Sequence, residues 1–130
     1  MLAQPLWRWL LVAAGLILTG TALIQLQGYP RVGELLVNAS APELWSAGIR
    51  ATWLFFAVQL LVLAGFSFAA GVRPRLADST ALTISAVLLA SNTALLGGFL
   101  GVFAGTILVG TATALVVIVR LIRKEERATD

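Results

Sequence analysis

Cysteine and histidine are both missing from the 130 residues. Without thiolates or imidazoles the chain can form no disulfide, iron–sulfur cluster or histidine-ligated haem, and it lacks the usual ligand sets for zinc and copper. No metal and no cofactor are expected, and the redox compartment cannot be read. Charge is scarce too: 12% of residues are charged, about half the ~25% of soluble domains, while 59% are hydrophobic. The net charge of +3 does not point to nucleic acid. Single-strand binding needs basic residues interleaved with aromatics, and here the basic residues mark the ends of apolar stretches.

Those stretches are long. A bilayer core of ~30 Å requires about 20 consecutive apolar residues, and the run between Arg8 and Arg31 supplies the first such block. Its apolar part exceeds the 7–15 residues of a signal-peptide core and continues past the small triplet Gly20-Thr21-Ala22, so it is expected to stay in the protein. Gln25, Gln27, Gly28 and Pro30 predict its end. Pro42 suits a helix start, and the second uncharged run extends from Ala51 to Val72. After Arg73, Pro74, Arg75 and Asp78, no charge occurs from Ser79 to Val119. One helix of that length would measure ~60 Å, twice the hydrocarbon thickness, so it must fold back. Gly97, Gly98 and Gly101 are the expected turn.

The chain is therefore read as one transmembrane domain, residues 1–130, of the all-α class. It is an integral membrane four-helix bundle with crossings near 7–27, 47–71, 79–96 and 99–121, an outer loop at 28–46, a link at 72–78 and a basic tail at 120–130. Arg8, Arg73, Arg75, Arg120, Arg123, Lys124 and Arg127 fall on one side of an up-down arrangement, against Arg31 and Arg50 on the other. The positive-inside rule then places the N and C termini and the link in the cytoplasm. The alanine- and leucine-rich composition suggests a bacterial inner membrane.

Ionisable residues inside a bilayer are functional candidates because they are costly there, and no crossing has one near its centre. A proton-coupled exporter of the small multidrug type needs an embedded carboxylate, which is absent. At the outer mouth Arg50 stands seven residues after Glu43, on one helical face, with Glu34 able to approach from the loop. Arg50 is a candidate for binding a carboxylate, phosphate or lipid headgroup, with Glu43 or Glu34 as candidate acid or base; the bland alternative is an interfacial arginine reaching for headgroups. Gln59, about 180° round the helix from Arg50, and Asn92 are candidates to meet inside the bundle. There they serve either as interhelical hydrogen-bond glue or as the polar lining of a ligand site that Trp53 would also border. Gly97, Gly101, Gly105 and Gly110 form a small-residue stripe for packing within the chain or for a homo-oligomer face.

Three functional classes fit. The preferred one binds a membrane lipid or apolar small molecule, or serves as an accessory subunit of a larger membrane complex. The second is a cofactor-independent enzyme on a lipophilic substrate, an isomerase, cyclase or hydrolase, using Arg50 with Glu43 or Glu34. The third is an oligomeric channel or carrier. Whether the chain is an enzyme is left open by its residues.

Overall fold

The computed structural model describes residues 5–129, apart from the side chains of Phe99, Arg127 and Thr129. Asp130 and the Arg127 side chain, on which part of the predicted tail rests, lie outside the described residues. Four α-helices follow one another: α1 (Leu6–Asn38), α2 (Glu43–Val72), α3 (Ser79–Leu100) and α4 (Ala104–Thr129), with a short 3-10 turn at Pro74–Leu76. Each is long and apolar enough to cross a membrane.

The lengths are unequal. With 33 and 30 residues, α1 and α2 measure ~50 and ~45 Å, whereas α3, with 22 residues, measures ~33 Å. The stretch expected as an outer loop at 28–46 is largely helical. Gln25 to Pro30 do not end α1, which continues through Pro30 to Asn38. Proline there removes one main-chain donor, and the helix carries on past the missing bond. Likewise, Gly97 and Gly98 are the last turn of α3 rather than the reversal, which falls at Gly101 to Phe103.

Each connection closes by recognisable local chemistry. At the end of α1 the Ala41 N–H donates to the Leu36 carbonyl at 3.1 Å and the Ser40 N–H to the Val37 carbonyl at 3.0 Å. This is the paired pattern of a Schellman motif, with Ser40 at φ 49° in the left-handed position usually given to glycine. Asp78 caps α3 by accepting from the Thr80 N–H at 3.0 Å, as N-terminal aspartates do. Gly101, at φ 77°, reverses the chain into α4, and the Thr106 hydroxyl donates back to its carbonyl at 2.9 Å.

Around the bundle the order is α2, α1, α4, α3: α1 packs on α2 and α4, and α3 packs on α4. Leu11, Leu18, Leu60, Leu82, Leu89 and Val116 are among the residues of one continuous core. Gly71 lets α1 and α2 approach closely, because a Cβ there would sit 3.2 Å from the Arg8 carbonyl oxygen and 3.2 Å from Val12 Cγ2. Arg8 seals this contact, donating from Nε to the Gly71 carbonyl at 2.7 Å and from a terminal nitrogen to that of Val72 at 2.9 Å. These carbonyls end α2 and have no intrahelical donor. At the same end, the Arg123 guanidinium lies 4.7 Å from the Trp7 ring centre, a cation–π distance, and reaches the Ala77 carbonyl at 3.4 Å. Between α3 and α4 the Thr93 and Thr113 hydroxyls meet at 3.2 Å.

Candidate functional site

Because α2 packs chiefly on α1 and α3 chiefly on α4, a groove opens between α2 and α3 toward the end of the molecule that carries the Ser40 and Gly101 turns. Its volume is about 690 Å³, within the ~300–1,000 Å³ range of small-molecule sites. One wall is α2, from Leu44 and Trp45 through Ile49 and Thr52 to Phe56; the other is Asn92, Leu95, Leu96 and Leu100 of α3, with Gln25 of α1 and Phe103 of the α3–α4 turn completing it. Helical spacing explains the α2 wall, since positions three, four and seven apart share a face.

No lining residue is charged. Two of the polar ones are already engaged: the Trp53 indole Nε1 donates to the Gln25 carbonyl at 2.7 Å, and the Thr52 hydroxyl donates to the Gly48 carbonyl at 2.9 Å. Trp53 can come close to α1 because Gly28 has no side chain; a Cβ there would fall 3.1 Å from the edge of the ring. Asn92 differs. It is 8% exposed, and its Nδ2 is buried without a hydrogen-bond partner. A buried, unsatisfied donor costs about 1–3 kcal/mol.

The sequence candidates separate into distinct places. Trp53 and Asn92 come together in the groove. Gln59 follows Phe56 by one turn on the same side of α2 and is half-buried, yet it is not among the lining residues and makes no hydrogen bond with Asn92. Arg50, about 160° round α2 from Thr52 at ~100° per residue, occupies another recess of about 510 Å³ with Gly33, Glu34, Val37 and Asn38. Its guanidinium passes over Gly33, one terminal nitrogen 3.6 Å from where a Cβ would stand, and its Nε is buried without a hydrogen-bond partner. Glu34 shares the recess; Glu43, exposed at the first position of α2, does not. Among the described residues, neither glutamate is within ion-pair distance of Arg50, and no three acidic side chains cluster where a metal ion would sit.

The glycines of the stripe differ in their surroundings. A Cβ at Gly97 would stand 3.7 Å from the Thr106 methyl and one at Gly110 3.4 Å from the Thr93 methyl, Gly101 is the turn, and Gly105 lies under the Phe103 ring. What sequence reading missed was the groove, and with it Gln25, Phe56 and Phe103. Their signal was faint: Thr52 and Phe56 share a helical face with Trp45 and Ile49, but a wheel does not say which neighbour is missing.

No protein-family model matches the chain, no curated protein matches it, and no solved structure matches it.

Proposed function

We propose that this chain is a multi-pass protein of the bacterial inner membrane, up-down in topology with both termini in the cytoplasm, and that it binds a lipid or apolar small molecule in the groove between α2 and α3. The observation that carries this reading is the unpartnered Asn92 amide inside an uncharged, aromatic-lined groove. The seven-to-two bias of basic residues supports the orientation, and with it the groove opens in the outer half of the bilayer. The enzyme reading ranks lower because Arg50 and Glu34 stand in a different recess from Trp53 and Asn92. The channel reading ranks lower because Gly97 and Gly110 are used against threonines of the same chain.

Labelling with a membrane-soluble diazirine fatty acid tests the groove. Adducts concentrated on Ile49, Phe56, Leu95 and Leu96, above the level on lipid-facing Leu16, Leu23 and Val62, are expected; even labelling of both sets defeats the proposal. The absence of native cysteine makes the topology equally open to test. A single cysteine at Ser40 should react with an impermeant maleimide in intact cells, and one at Arg75 only after lysis. The reverse pattern would invert the orientation.

A further inference from the structure

The groove's lining restricts what it will accept. Thirteen residues form it and none is ionisable at neutral pH, so a charged group entering it would lose its hydration without a counter-charge, at a cost of several kcal/mol. The ligand portion inside is therefore neutral. Four lining residues, Trp45, Trp53, Phe56 and Phe103, are aromatic, and aromatic side chains hold a planar ring by offset stacking or edge-to-face contact better than they hold a flexible chain. The indole of Trp53 and the hydroxyl of Thr52 have spent their hydrogens on main-chain carbonyls. The Asn92 Nδ2 has not, and an amide nitrogen only donates. The complement is an acceptor on a neutral, planar, lipophilic molecule.

Resting on the groove reading above, we propose that the occupant carries a ring carbonyl and an apolar tail, the chemistry of an isoprenoid quinone. The ring lies among Trp53, Phe56 and Phe103, the Asn92 amide, whose Nδ2 is sealed from the groove, turns to donate to a ring carbonyl oxygen, and the tail leaves between α2 and α3 past Leu95 and Leu96. An ester lipid offers carbonyls as well, but on a flexible glycerol backbone that gains little from aromatic walls. Gln25, the other amide of the lining, is half-buried and serves the second carbonyl.

The test compares two probes of equal bulk on the full chain in detergent, a decyl-substituted benzoquinone and decylbenzene, which has the ring and tail but no carbonyl. Binding is read by native mass spectrometry on wild type, Asn92→Leu and Gly48→Trp. Gly48 lines the groove with open space beyond it, so an indole there fills the site. Wild type should hold the quinone about tenfold more tightly than Asn92→Leu, the value of one buried hydrogen bond, with decylbenzene indifferent to Asn92 and Gly48→Trp excluding both. Quinone binding that is unchanged in Asn92→Leu, or no tighter than that of decylbenzene, overturns the carbonyl assignment and leaves the groove standing. If neither probe responds to Gly48→Trp, or if a second copy of the chain fills the groove as a dimer lost in that variant, both readings fall. Should Asn92→Leu not fold, Asn92→Ala carries the same comparison.

Discussion

Trp53 and Gln25 are joined by an indole N–H to carbonyl hydrogen bond of 2.7 Å, which pins the groove wall of α2 to α1. Trp53→Phe keeps most of the wall and loses only this bond, so thermal unfolding in detergent followed by circular dichroism should register a loss of about 0.5–1.5 kcal/mol. Gly28→Ala should cost about 1–3 kcal/mol by pressing a methyl into the indole. In a Trp53→Ala background that cost should vanish; additive losses would mean that the two residues are not coupled.

Ser40 holds a left-handed conformation at φ 49° in which a side chain costs about 1–2 kcal/mol. Ser40→Gly should therefore raise the unfolding midpoint by the equivalent of about 1 kcal/mol. Ser40→Val should lower it further than any other substitution in the 39–42 turn. A midpoint unmoved by both changes would show that the turn does not limit stability.

Glycines in the same helix should answer oppositely. Gly71→Ala places a methyl 3.2 Å from the Arg8 carbonyl oxygen, a backbone atom that yields little, so α1 and α2 must separate at a cost of about 1–3 kcal/mol. Gly65 has nothing within 4 Å of a built Cβ, and Gly65→Ala should gain up to about 1 kcal/mol from helix propensity. Unfolding of the two variants side by side measures the difference.

Asn92 offers a way to separate a binding residue from a structural one. In ligand-free micelles Asn92→Leu removes an unsatisfied buried donor and should stabilise the protein, by up to about 1–3 kcal/mol. An amide that served as interhelical glue would behave in reverse, and destabilisation by about 0.6 kcal/mol or more would assign it that role.

The apolar architecture was plain in the residues. Bilayer physics demands long uncharged blocks, and a double-length block must fold back, so four helices followed from charge positions alone. Helix ends were less legible. Proline normally predicts a break, yet Pro30 lies within a helix whose neighbouring turns are covered by α2, with Trp53 on Gly28 and Arg50 on Gly33. At Ser40 the left-handed residue was not the glycine that would have announced it. The candidate site was half legible: a wheel gave the angle between Arg50, Thr52 and Gln59 within α2, and hence separated Arg50 from the others. It did not give the rotation of α2 relative to α3. That depends on which helices pack, and uniformly apolar helices carry no pattern of charge to fix their neighbours.

The unequal hairpins bear on how the groove responds to its surroundings. At ~33 Å, α3 barely matches a hydrocarbon core of ~30 Å, while α2 has some three turns to spare. A bilayer thickened by a few ångströms is absorbed by α2 with no change of tilt, but it leaves α3 short, and a short helix draws the lipid inward or shifts along its neighbours. Since one wall of the groove is the long helix and the other the short one, a change of membrane thickness is expected to act on the two walls unequally.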